Sequence, residues 1–154
     1  MTDWMDYSGA PALLIPSRVA GKWSGVKTPD WTDYSRVCEL AWPGKGVISI
    51  GETTGYVFYS ESDTHSWLAN LQIYASGGWI PTADQLDAAN WEDLVVWNAQ
   101  DRHYFLVNSA EDLTEGISGV DHQVVLLPEG CYEIAYAQIM GHCYGEFHRL
   151  RLTC

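Results

Sequence analysis

The chain has 154 residues, of which 47% are hydrophobic and 18% charged, with eight Trp and nine Tyr. That is the size and composition of a single globular domain, 1–154, which can bury a core without metal or disulfide; a disordered chain is excluded. Twenty acids against eight bases give a formal charge of −12, a field that repels nucleic acid and anionic membranes and speeds encounter with basic partners.

Pro11-Ala12-Leu13-Leu14-Ile15-Pro16 predicts a first strand, an edge one, because Pro cannot donate to a ladder. Gly21 to Tyr34 reads as a loop, and Asp33 caps a helical turn through Tyr34 to Leu40. Val47-Ile48-Ser49-Ile50 and Tyr56-Val57-Phe58-Tyr59, joined by a short Gly-containing segment, predict a hairpin. From Leu71 the alternation predicts a strand that stops at Ser76-Gly77-Gly78. Thr82 and Gln85 have capping-box spacing, with Leu86, Ala89 and Trp91 on one face of a short helix. A second hairpin is expected from Leu94–Trp97 and His103–Val107, and a third from Val124–Leu127 and Cys131–Ala137 across Pro128-Glu129-Gly130. In the closing strand, Leu150 and Leu152 point inward and Phe147 is offset. About eight short strands with frequent turns predict a mainly β fold. The expected form is an antiparallel β-sandwich or an open barrel with one or two short helices.

The opening Met1-Thr2-Asp3-Trp4-Met5-Asp6 has acids where a secretory leader needs bases and an apolar run. No apolar run approaches the ~18 residues of a membrane span. The expectation is a cytoplasmic protein whose Cys38, Cys131, Cys143 and Cys154 are reduced thiols or core fillers.

Motifs of chemistry are sparse. There is no GxxxxGK[ST] and no GxGxxG, and Ser8-Gly9 and Ser24-Gly25 lack the setting of a nucleophile elbow. Cys131, His142, Cys143, His148 and Cys154 crowd the end of the chain, but without a CxxC knuckle to pre-set two zinc ligands. Asp101-Arg102-His103 reads as a polar turn rather than part of a catalytic group. Carboxylate pairs such as Glu92-Asp93 and Glu111-Asp112 are expected by chance in so acidic a chain. No catalytic residue, cofactor or metal is assigned.

The distribution of charge is more informative. Between Gly46 and His148 there are fifteen acids and one base, Arg102. Asp84, Asp87, Glu92, Asp93, Glu111, Asp112, Glu115 and Asp121 fall in segments read as loops or helix ends. Such acids serve equally as solvated faces. As a binding surface, Asp84, Asp87, Glu92, Asp93, Glu111, Asp112 and Glu115 would meet a basic partner, with Trp91 and Trp97 as anchors. Both rings also suit a core.

Several stretches together resemble the immunity protein 21 family, antidotes of bacterial polymorphic toxin systems. Trp4-Met5-Asp6-Tyr7-Ser8-Gly9-Ala10-Pro11-Ala12-Leu13-Leu14-Ile15-Pro16 is similar to that family's opening, with Ala10 where the family has Gly. Trp23-Ser24-Gly25 looks like its W-x-G, and Asp33-Tyr34-Ser35-Arg36-Val37-Cys38 its D-Y-x-R-A-C, with Val37 for Ala. Ile48-Ser49-Ile50-Gly51 with Tyr56-Val57-Phe58, then Leu127-Pro128-Glu129-Gly130-Cys131-Tyr132 and His148-Arg149-Leu150, continue it in order. The segment from Gly77 to Asp121 carries little of the likeness. The resemblance implies an antidote that is not an enzyme and that binds and neutralises a cognate toxin; toxins with the basic cleft of a nuclease suit an acidic binder. Two other readings use the same features. A phage-type inhibitor mimicking nucleic acid predicts regularly spaced acids along one face, and a carbohydrate-binding sandwich predicts a solvent-facing row of rings.

Overall fold

The computed structural model describes residues 5–6, 11–25, 41–42, 47–52, 55–60, 65–72, 79–141 and 144–154. The helical turn expected at Tyr34 to Leu40 lies outside them. Strands β1 (Met5–Asp6) and β2 (Pro11–Pro16) precede helix α1 (Ser17–Ala20). Next come β3 (Ala41–Trp42), β4 (Val47–Glu52), β5 (Gly55–Ser60), β6 (Ser66–Gln72) and helix α2 (Ala83–Ala88). The chain continues through β7 (Glu92–Ala99), β8 (His103–Asn108), β9 (His122–Leu126), β10 (Gly130–Met140) and β11 (Tyr144–Leu152). Among the described residues no helix is long and apolar enough to cross a membrane.

These strands form two antiparallel sheets, one in the order β1-β5-β6-β11-β10-β7 and the other β3-β4-β2-β8-β9. The mainly β sandwich expected from the pattern is therefore present, and neither sheet closes into a barrel. Alternation decides what each strand buries. On β10, Tyr132 and Ile134 are buried and Glu133 between them is exposed. On β11, Leu150 joins the central core and Leu152 packs against it, while Phe147 is buried on the opposite face. The offset read from the sequence is thus observed. The central core lies between the sheets: Trp67, Trp97, Tyr132 and Leu150 from one meet Leu14, Tyr104, Leu106 and Val125 from the other. Its aromatic centre is edge-packed, with Tyr132 5.8 Å from Trp67 and Trp97 5.5 Å from Tyr104 between ring centroids.

Strand β2 corrects one expectation. It is not an edge strand; it pairs with β4 on one side and β8 on the other, and all six of its residues are buried. Its prolines are tolerated because they sit at its ends. Pro11 falls at a register shift, and Pro16 is the N-cap of α1. Strand β6 begins at Ser66, five residues before the alternation at Leu71, and the expected stop at Ser76-Gly77-Gly78 lies outside the described residues.

All three expected hairpins are corners instead. β4 and β5, β7 and β8, and β9 and β10 follow one another within a few residues, yet the members of each pair belong to different sheets. A short turn only brings two strand ends together. When both strands carry an apolar face, bending across the core buries those faces as well as pairing would. The β9 strand shows the geometry. Gln123 near its start donates to the carbonyl of Phe58 on β5 at 3.3 Å, and beyond its end Pro128 accepts from the hydroxyl of Tyr132 on β10. In the facing sheet β5 and β10 are three strand spacings apart, about 14 Å, which four to five extended residues cover at ~3.3 Å each. Strand β9 therefore runs across the facing strands rather than along them.

Candidate protein-binding surface

Both outer faces of the sandwich are partly covered, and the covers carry the acids. On the first sheet, Leu86 of α2 packs on Leu68, Ile139 and Phe147, with Trp79, Ala89 and Trp91 around them. The helix is held by the capping box read from the sequence: the Gln85 amide donates to Thr82 Oγ1 at 3.2 Å, and the Thr82 amide donates to Gln85 Oε1 at 2.9 Å. With Leu86 turned inward, Asp84 and Asp87 are left exposed. Trp91 is half-buried; its indole donates to the Leu86 carbonyl at 3.0 Å, and the Arg149 guanidinium lies 4.0 Å from its ring centre. That ring fastens the α2 segment to the sheet before it can serve any partner. Glu92 and Asp93 follow directly, exposed at the start of β7.

On the second sheet, Leu113 packs on Leu13, Ile15 and Val107, with Ile117 and Val120 beside it. The loop that carries it is tied down locally. Trp23 donates through its indole to the Ser109 carbonyl at 2.9 Å, and the Leu113 amide donates to the Trp23 carbonyl at 2.8 Å. Asp112 accepts from both the amide and the hydroxyl of Thr114, at 2.9 and 2.6 Å. Glu111, Asp112 and Glu115 are exposed on this loop.

The acids singled out in the sequence therefore form two groups on opposite faces of the sandwich. Asp84, Asp87, Glu92 and Asp93 flank α2 and β7, whereas Glu111, Asp112 and Glu115 ride the β8–β9 loop. Trp97 belongs to neither; it is buried at the centre of the core, so its ring is not presented to a partner. Trp67 is buried like Trp97, and Trp23, Trp79 and Trp91 are half-buried, so these five rings form no solvent-facing row.

Sequence reading missed the exposed aliphatics beside the first group. On β7, Leu94, Val95 and Val96 are 51%, 53% and 69% exposed. β7 is the last strand of its sheet, and its register with β10 slips between Ile134 and Ala135, so that Val95 faces Ile134 and Asp93 faces Ala135. Leu94 is the extra residue of a bulge. An Leu-Val-Val run reads as core, and only the strand order shows that it borders solvent. A second strip lies on the outer face of β8 and β9, where exposed Val124 and Leu126 adjoin Phe105, itself edge-on to His103 and His122 at 5.5 and 5.3 Å.

The remaining candidates for chemistry have structural settings. Arg18 donates to both oxygens of the Asp101 carboxylate at 3.0 Å. This holds that carboxyl below its ordinary range and fixes the β7–β8 corner to α1. His103 is exposed at the head of β8. Cys131 and Cys154 are free thiols close enough to share a hydrogen bond, which pushes the pKa of the Cys131 thiol up and that of the Cys154 thiol down. His148 is buried in β11; His142 and Cys143 lie outside the described residues.

Compared with known proteins, the chain matches no curated protein and no solved structure. A family model, immunity protein 21, matches residues 3–143. That match runs through the Gly77 to Asp121 segment, whose motifs carry little of the resemblance, and so takes in α2, β7 and both acidic groups. With nearly the whole length matched, the chain belongs to the immunity protein 21 family.

Proposed function

We propose that this immunity protein is a non-catalytic antidote, one that binds its cognate toxin in the cytoplasm and neutralises it by covering the toxin's active surface. The observation that carries the reading is the α2–β7 flank, where exposed Asp84, Asp87, Glu92 and Asp93 border exposed Leu94, Val95 and Val96. Protein interfaces join an apolar centre to a charged rim, and this flank has both. Trp91 lies at its margin, stiffened by Arg149. A toxin with a basic cleft, such as a nuclease, suits it best. Glu111, Asp112 and Glu115 act from the far face through the long-range field, which governs the rate of encounter more than the strength of contact. The division of acids between two faces gives no support to a nucleic-acid mimic, which needs them in one row.

The test is capture of the toxin encoded beside this gene, with the wild-type chain and with Asp84, Asp87, Glu92 and Asp93 all changed to Lys. Capture by the wild type is expected, with affinity lowered at least ~10-fold by the four changes. Absence of a complex with the wild type at micromolar concentration contradicts the reading. Unchanged affinity in the variant moves the contact away from this flank.

A further inference from the structure

We propose that β7 is a docking strand, which takes up an extended, cationic segment of the partner protein as an additional strand of the first sheet. This deepens the antidote reading and rests on it.

Among the described residues four strands stand at sheet edges, and three of them are poor templates. β1 and β3 are two residues long, and β9 is five. β7 has eight residues, about 26 Å of strand, pairs with β10 on one side, and has no strand on the other among the described residues. The row of amides and carbonyls turned away from β10 meets no other strand among the described residues. Folded proteins guard such an edge with Lys, Pro, a bulge or a covering segment, because an open edge pairs with whatever chain meets it. Here the charges and the bulge are confined to the first three residues, Glu92 to Leu94. From Val95 to Ala99 there is no charge and no proline. The exposure of Val95 and Val96, adjacent residues that face opposite sides of the sheet, means that an added strand buries apolar surface on both.

Charge selects the occupant. Glu92 and Asp93 lie on the strand, Asp84 and Asp87 on the helix before it, and exposed Glu133 stands directly across from Val96 in the register with β10. A second copy of this chain would bring another net −12 to the same edge and is disfavoured. A segment in which Lys or Arg alternates with aliphatic residues would match both the carboxylates and the apolar pair.

The experiment is amide hydrogen exchange of the full chain, alone and with the toxin encoded beside this gene. Binding is measured in parallel for Val96→Lys and for Leu126→Lys, the latter on the other exposed strip. The account predicts slowed exchange at β7 only in the complex, binding weakened at least ~10-fold by Val96→Lys, and a change below ~3-fold for Leu126→Lys. A complex that forms without slowing exchange at β7 overturns the docking strand and leaves the antidote reading intact. A free chain that is already dimeric with β7 protected overturns it in favour of self-pairing. Absence of any complex overturns both. Val96 is largely exposed, so its replacement should fold; if it does not, exchange of the wild-type chain still decides.

Discussion

His148 lies in β11 between β6 and β10, its ring 5.3 Å from that of Tyr136, and its Nδ1 finds no hydrogen-bond partner among the described residues. Burial pushes its pKa down to about 4. Below about pH 6.5 the unfolded chain binds a proton that the native chain refuses, so stability falls as the pH drops from there towards 4. The slope attributable to this group approaches about 1.4 kcal/mol per pH unit, roughly 3 kcal/mol over the window. Urea denaturation at pH 7 and pH 5 should show the loss in the wild type and a smaller one in His148→Leu, where the carboxylate background is shared. Equal losses in the two would mean that His148 does not govern acid sensitivity. Trp97 offers a second test at this scale, because the sequence allows it to be either core or contact. Its packing against Tyr104 and Tyr132 predicts that Trp97→Ala costs about 3–5 kcal/mol. Trp97→Phe should fold and bind the toxin with wild-type affinity, measured by calorimetry.

At the scale of elements, alternation and capping were legible because they are local. The Thr82–Gln85 box, the buried Leu86, and the opposed faces of Phe147 and Leu150 all follow from spacing along a few residues. Strand pairing was not legible. The short turn at Pro128-Glu129-Gly130 looks the same whether the flanking strands pair or cross the core, and the difference lies in contacts such as Gln123 with Phe58, 65 residues apart. Exposure of Leu94, Val95 and Val96 escaped for the same reason: an edge is a property of the sheet order, not of the run. The division of the acids into two faces also depends on which loop covers which sheet. Gly25 ties one of those covers in place, with φ of 82° and a space in which an added Cβ would meet the Ala110 carbonyl oxygen at 2.7 Å. Gly25→Ala should therefore cost roughly 1–3 kcal/mol and speed amide exchange between Ser109 and Val120. Unchanged exchange there would show that this close approach does not hold the loop.

For the molecule as a whole, the proposal joins the net charge of −12 to the exposed α2–β7 flank: in it, the field would gather a cationic partner and the flank would hold it. Association with the toxin should slow markedly as salt rises, whereas dissociation changes less, because screening acts over ~10 Å at 0.1 M and affects encounter before contact. The central claim is that neutralisation is by occupation and not by chemistry. It is tested most directly by titrating a fixed amount of the cognate toxin with this chain and following toxin activity. The account predicts a linear fall to zero at a fixed stoichiometric ratio, with activity regained when the complex is taken apart in denaturant and the toxin refolded alone. Loss of far more than the matching amount of toxin activity to a small fraction of this chain, or a toxin left permanently altered after separation, would contradict it.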